Sequence, residues 1–259
     1  MTEFFFLSLA FLLILNHRFY WVSRLPNGAQ IPGHVLISHR GLKLSAPENT
    51  IEAYSDAVKN GFSWIELDVI TTKDKVLICS HNFDLERETE GRGYIHKLVH
   101  KEINFKIIEG KKGETDLYNL PKFHDVLNRV PNNIGLNVEI KTSSVFDLSS
   151  TRALVKFLNV LKKRPHVITT FNPIVVIYFR VFYRNVPVGL ILESYKYNWL
   201  VNWIHPHLLI PRADMLNKEM FNYCKNKNLP ILTWTVNNMH AINWCKNKNI
   251  FGIITDIEK

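Results

Sequence analysis

Cysteine is scarce in this chain: Cys79, Cys224 and Cys245 are the only three among 259 residues. They form no close pair and no CxxC, so a disulfide framework and a structural zinc site are excluded, and reducing surroundings are expected. Long apolar runs are missing as well. The run Phe4–Leu15 would rise about 18 Å as a helix against a bilayer core of about 30 Å, and the sequence holds nothing like a series of such spans. That excludes a polytopic membrane protein. A basic cluster is also absent: Lys and Arg number 32 against 23 Asp and Glu, a net charge of +9, yet they are spread along the chain without a recognisable nucleic-acid module. The balance favours an anionic partner of another kind, a phosphorylated substrate or a phospholipid surface. With 46% hydrophobic and 21% charged residues, the chain is neither disordered nor collagen-like.

Residues 1–25 read as a membrane anchor. Asn16, His17 and Arg18 interrupt the apolar run before Phe19, Tyr20 and Trp21. Extended to Val22, the segment would span if Arg18 snorkels to the interface beside Tyr20 and Trp21. Arg18 and Arg24 would then hold the main domain on the cytoplasmic side. A cleaved signal would instead make the protein secreted or periplasmic, although the run has only Glu3 before it and no A-x-A site after it. A helix closing the floor of a soluble domain is the third alternative.

Past Gly33 the chain alternates short β-rich runs with longer helical ones. Strands are expected at His34–Ser38, Ser63–Thr71, Val76–Ser80, Gly135–Ile140, Val167–Thr170, Val188–Leu192, Leu208–Ile210, Ile231–Val236 and Gly252–Thr255. Helices are expected over Asn49–Lys59 and around 149–163, 173–183, 217–227 and 238–247. Repeated β-then-α order implies parallel strands with right-handed crossovers. A near-repeat beginning at Cys224 and again at Cys245 has a helix end, an Asn-rich cap and the next strand. A single (β/α)8 barrel over 34–259 fits a fold that takes about 250 residues; an open doubly wound sheet is the alternative. The third strand follows the second after only four residues, too few for a parallel crossover, so it is expected as an antiparallel hairpin partner. With the turn near Lys73 and Asp74, residues whose numbers sum to about 147 should face each other, His81 opposite Glu66 and Cys79 opposite Asp68. Residues 82–134 read as a surface insertion.

Glu66 and Asp68 lie two apart in a strand and so share a face, with Ile65, Leu67 and Val69 on the other. Two carboxylates that close are costly without a cation between them. Glu139, on another strand expected to end on the same rim, makes a third, and three oxygen donors suit a hard divalent ion. Lys141, two residues on, fits a salt bridge to Glu139, a Schiff base, or best a phosphate contact. His39 and His81 each follow a strand, and two imidazoles can supply one proton acceptor and one donor near neutral pH. Arg40 offers a forked donor for phosphate oxygens.

Together these residues form a recognisable series. The stretch Ser38-His39-Arg40-Gly41, then Pro47 to Thr50, Glu66 to Val69, Thr72 to Asp74 and Ser80-His81 resembles the glycerophosphodiester phosphodiesterase family. The resemblance continues through Glu86 to Gly93, Glu139 to Lys141, Thr170 to Pro173, Trp234 to Asn237 and Ile254 to Asp256. It implies a TIM-type barrel with a small insertion after the hairpin, a divalent metal, either Ca²⁺ or Mg²⁺, and hydrolysis of glycerophosphodiesters to glycerol 3-phosphate and an alcohol. By the same resemblance His39 and His81 are the acid-base pair, and Glu66, Asp68 and Glu139 are the metal ligands. Arg40 and Lys141 take the phosphate, Trp234 walls the alcohol or glycerol side, and Asn49, capping its helix, braces the site. The chain departs from the family's frequent pattern at Leu42 and Lys75, where glycine is common, and at Asn82, where aspartate is. Leu42 is expected to narrow the first loop. Lysophospholipase D-like cleavage of membrane lysophospholipids is the alternative activity, and a non-catalytic phosphoester-binding barrel a remote one.

Overall fold

The computed structural model describes residues 2–103 and 118–258. An amino-terminal helix α1 (Thr2–Phe19) precedes the alternating elements β1 (Val35–Ser38), α2 (Ile51–Lys59), β2 (Trp64–Thr71), β3 (Leu77–Cys79), α3 (Phe123–Arg129), β4 (Gly135–Ile140), α4 (Ser149–Leu154) and α5 (Leu158–Leu161). The second half continues with β5 (His166–Thr170), α6 (Pro173–Phe182), β6 (Val188–Leu192), α7 (Asn198–Ile204), β7 (Leu208–Pro211), α8 (Lys218–Asn226), β8 (Leu232–Thr233), α9 (Met239–Asn247) and β9 (Gly252–Thr255). Parallel pairing runs β7-β6-β5-β4-β2-β1-β9-β8, with β3 antiparallel on β2. Two bridges, Leu209 to Ile231 and Arg212 to Trp234, join β7 to β8 and nearly close an eight-stranded parallel barrel. The open sheet is therefore set aside. The closing seam is thin because Pro211 and Pro230 flank it without amide donors.

Helix starts follow side-chain chemistry. Thr50, Asn172, Asn217 and Asn238 each accept a backbone amide at the first turn of α2, α6, α8 and α9, which satisfies donors a helix otherwise leaves open. After α8 and α9 the chain turns through Asn228 (φ 51°) and Asn249 (φ 62°), the left-handed position that Asn tolerates. The near-repeat is thus two helix exits of one kind.

Alternation sorts the strands into two layers. Ile65, Leu67, Val69, Leu136 and Val138 face the helices in the main core. Ile37, Trp64, Val167, Ile191, Leu208, Ile210, Leu232 and Ile254 fill the barrel interior. Trp64 fits there because Gly135 stands beside it: a Cβ at that position would lie 2.3 Å from the indole.

Three expectations need correction. The hairpin pairs Val69 with Cys79 and Thr71 with Leu77, one residue from the expected register. Ser80 thus lies beside Asp68, its amide donating to the Asp68 carbonyl at 3.3 Å, and His81 is already past the strand. The insertion is shorter than 82–134, because Phe123, Val126 and Leu127 of α3 are buried in the main core. Ahead of α3, a small cluster of Ile70, Ile78, Leu85, Ile95, Ile103 and Leu120 holds the insertion on the hairpin; residues 104–117 of the expected span lie outside the described residues. Finally, α1 ends at Phe19, short of Val22. Among the described residues no helix is long and apolar enough to cross a membrane.

The chain turns at Phe19 because the next residues belong to the barrel floor. Trp21 is only 9% exposed and stacks on His205 with ring centroids 4.4 Å apart. The Ser23 amide donates to the Lys227 carbonyl at 2.7 Å and its hydroxyl to the His207 carbonyl at 2.9 Å. Leu25 and Ile31 pack against the inner cluster. Truncation after residue 25 should therefore destabilise the barrel by about 3–5 kcal/mol, the usual cost of losing a buried Trp side chain, whereas truncation after Phe19 should leave its unfolding midpoint nearly unchanged. Urea unfolding of the two truncations checks this.

Candidate active site

Every candidate side chain reaches the same end of the barrel, where the strands finish. A cavity of about 280 Å³ opens there, lined by His39, Arg40, Glu66, His81, Glu139, Lys141 and Trp234, with Phe171, Glu193 and Ile210 on the far wall. Asp68 and Asn49 lie beneath it, fully buried. Two larger depressions, of about 850 and 810 Å³, do not contain these residues; the second lies at the opposite end of the barrel.

Register explains the carboxylates. β2 and β4 pair in parallel with Asp68 beside Glu139 and Glu66 beside Asn137, so the same-face rule brings all three acids inward. An oxygen from each lies within 4.8 Å of the others. Lys141 holds two of them, at 2.6 Å from Glu139 and 3.1 Å from Asp68. The Arg40 side chain is 3.1 Å from Asp68, and its backbone amide donates to Glu66 at 3.0 Å. The other oxygen of Glu66, Oε1, is buried without a partner.

The electrostatics divide the three acids. Burial pushes the Glu66 carboxyl well above the usual carboxylate range, and Asp68 and Glu139 push it further. Burial also raises Glu139, against the pull of Lys141. Asp68 feels the same burial, but Lys141 and Arg40 outweigh it and hold its carboxyl below normal. An orphaned buried oxygen within a crowd of acids is the arrangement a hard cation relieves, so the residues fit a divalent ion.

The first loop is shaped by backbone strain as well as side chains. Arg40 (φ 54°), Gly41 (φ 83°) and Asn49 (φ 56°) are all left-handed, a conformation that collects at functional sites. A Cβ on Gly41 would lie 2.7 Å from the Ala53 backbone, so only glycine lets the loop reach α2. Asn49 is not the cap of α2, a part Thr50 plays. Instead its amide nitrogen donates to Asp68 at 3.0 Å, while its oxygen accepts from Tyr54 at 3.0 Å and the Asp68 amide at 3.2 Å.

The histidines differ in their surroundings. His39 Nδ1 lies 2.7 Å from Asp256, whose other oxygen accepts from Asn237 at 2.6 Å. His81 is pushed down to about 4, first by burial and then by Lys141. The expected narrowing by Leu42 does not occur: its side chain is 1% exposed and belongs to the main core. Lys75 has φ 69°, which accounts for the family's preference for glycine there. Asn82 donates to Glu88 at 2.5 Å, and burial pushes that carboxyl up to about 7. Trp234 lines the cavity, edge-to-face with Phe171 at 5.6 Å, its indole nitrogen donating to the Ile210 carbonyl at 3.1 Å.

Residue-level reading of the sequence did not assign parts to Asp256, Asn237, Phe171 or Glu48. Glu48 lies 2.6 Å from Arg40. The available signal was their place inside the resembling stretches, because no spacing rule links His39 to a residue 217 positions away.

Comparison with known proteins agrees with the geometry. A glycerophosphodiester phosphodiesterase of Caldanaerobacter subterraneus subsp. tengcongensis is 27% identical over 234 residues, 86% of this chain and 93% of the relative. Among solved structures, a phosphodiesterase of Oleispira antarctica, in complex with the product sn-glycerol-3-phosphate, superposes with a TM-score of 0.77 at 21% identity. It covers 86% of this chain and 93% of its own. The Thermotoga maritima glycerophosphodiester phosphodiesterase gives 0.68 at 24% identity, covering 86% and 94%. These structural likenesses bear on the fold alone. The sequence model of the glycerophosphoryl diester phosphodiesterase family, however, matches residues 39–257, and on that match the chain belongs to this family and is a phosphoric diester hydrolase.

Proposed function

We propose that this chain hydrolyses glycerophosphodiesters to glycerol 3-phosphate and an alcohol, with His39 and His81 as its acid-base pair. The observation that carries the reading is the single cavity holding both histidines, Arg40 and Lys141 beside three inward carboxylates. The product complex of the similar Oleispira phosphodiesterase supports glycerol 3-phosphate as the released half.

Glu66, Asp68 and Glu139 would hold one divalent ion, Ca²⁺ or Mg²⁺, both of which take oxygen ligands; when bound, it supplies Lewis-acid polarisation of a phosphoryl oxygen. The remaining work falls to the chain's own side chains. Arg40 and Lys141 neutralise charge that builds on the phosphoryl oxygens. His81, held in its neutral form by burial and by Lys141, is the base towards water or the neighbouring glycerol hydroxyl. His39, whose Nδ1 bonds Asp256, then protonates the leaving alcohol, the carboxylate balancing the charged ring. Trp234 and Phe171 exclude water from the far wall.

A panel of glycerophosphocholine, glycerophosphoethanolamine and lysophosphatidylcholine, assayed with Ca²⁺ or Mg²⁺, tests the reading. Release of glycerol 3-phosphate from the first two is expected. Release of phosphocholine from the first would overturn it, and faster choline release from the lysolipid would move the substrate class to membrane lysophospholipids.

A further inference from the structure

We propose that the amino-terminal face of the barrel docks on an anionic phospholipid bilayer, with α1 buried in the leaflet and the active-site mouth turned away. In a barrel of this type every helix ends, and every next strand begins, at the face opposite the mouth. The segments that meet there are 16–34, 59–63, 129–134, 161–166, 183–187, 205–207, 225–230 and 246–251, and none contains Asp or Glu. Exposed cations recur in them: Arg24 before β1, Lys162 and Lys163 before β5, Arg184 before β6 and Lys248 before β9. Helix dipoles favour cations at helix carboxyl ends, which accounts for part of this pattern. They do not account for Arg24, which lies in the floor segment, or for an acid-free face.

The same face carries the apolar helix. From Phe4 to Ile14 every residue of α1 is exposed, Phe4 at 80% and Leu7 at 69%. A helix apolar on all sides has no single face to lay in a protein groove; it suits lipid. Its base is fixed to the barrel: His17 bonds the Trp203 carbonyl at 3.0 Å, and Lys227 donates to the Phe19 carbonyl at 2.6 Å. Partly exposed Trp203 lies against that base, its ring 6.1 Å from His17 and under the Arg18 guanidinium at 5.4 Å, as aromatic side chains do at a bilayer interface. On the same end of the barrel, a depression of about 810 Å³ is lined by Asn132, Asn133, Lys162, Lys163 and Asn185, groups that suit phosphate headgroups. A short apolar insertion holds poorly alone and firmly with a basic patch, and this face joins the two. The basic face also matches the anionic cytoplasmic leaflet.

The orientation carries a consequence for substrate, which rests on the hydrolysis proposed above. Five-residue strands rise roughly 17 Å, so the mouth stands at least that far from the bilayer and receives diesters dissolved in water rather than lysolipids in the membrane.

The test uses the full chain and vesicles of phosphatidylcholine alone or with about 30 mol% phosphatidylglycerol, whose anionic surface attracts basic side chains. Binding to the anionic vesicles alone, lost at high salt, is expected. Each basic side chain near such a surface contributes roughly fivefold, so the combined Lys162→Glu, Lys163→Glu and Lys248→Glu variant, which also reverses the charge, should bind at least about 100-fold more weakly. Reversing Arg87, Lys196 and Lys218, away from that face, should change little. Equal binding to neutral vesicles, or equal loss in both variants, would overturn docking by this face. Orientation is read without turnover: the three native cysteines are buried, so Lys162→Cys and Lys196→Cys each offer one reactive thiol. Vesicles should protect the first from a bulky maleimide and leave the second reactive; the reverse would place the mouth against the bilayer. Failure of diester hydrolysis would leave both readouts standing.

Discussion

Replacing His39 or His81 by alanine will lower turnover of glycerophosphodiesters by about 10²–10⁴-fold, the usual worth of general acid-base catalysis, and will leave thermal unfolding almost unchanged. Both side chains line an open cavity rather than the core, so truncation removes little packing. The partner left behind by His39 is not stranded, because Asp256 keeps its bond from Asn237 at 2.6 Å and is partly exposed. Asp256→Asn gives a finer measure. It keeps the shape of the pair but removes the carboxylate charge that balances the protonated ring of His39, so kcat should fall while KM holds. Near-normal kcat in either alanine variant, measured as released glycerol 3-phosphate, would remove that histidine from the mechanism.

Removing the divalent ion should silence the enzyme, and restoring it should recover activity. Lewis-acid stabilisation is worth several kcal/mol and each 1.36 kcal/mol is tenfold, so exhaustive chelation should cost at least about 100-fold. Glu66→Gln separates the ion from the fold. Burial already disfavours the charged form of Glu66, so the neutral amide should leave the ion-free barrel as stable as before. It should also abolish rescue by added Ca²⁺ or Mg²⁺. A second readout does not depend on turnover: an ion at 100 times its dissociation constant stabilises the folded state by about 2.7 kcal/mol, an upward shift in melting temperature that Glu66→Gln and Glu139→Gln should lose. Full activity in metal-free enzyme, with no ion-dependent shift in melting, would show that the three carboxylates serve structure alone.

The parts of the site visible before folding were those governed by local periodicity. Glu66 and Asp68 share a face because strand side chains alternate, and Lys141 follows Glu139 at the same interval. The strands Gly135–Ile140, Val188–Leu192 and Gly252–Thr255 are found at their expected bounds, each a short apolar run between turn signals. What escaped was set by contacts at long range. The hairpin register slipped by one residue because Ser80 bonds Asp68 and Cys79 bonds the Pro121 carbonyl, neither visible in the turn itself. In the sequence, helix α3 reads as insertion because its seven residues, Phe123–Arg129, are too few to show a helical period. Asn49 looked like a helix cap from its place after Pro47, whereas its left-handed backbone turns the amide inward onto Asp68.

The linear chain determined which residue types stand near each strand end, and with them the barrel, the two cavity histidines and the three clustered carboxylates. Only the tertiary structure decided that His39 meets Asp256, because β1 pairs with β9 when the barrel closes. It alone also decided where the charge goes. Read along the sequence, the basic residues are scattered; in the fold, each return from helix to strand comes back to one end, since right-handed crossovers repeat the same path. The acids that bind and balance the site collect at the mouth, and the excess of cations is left at the floor.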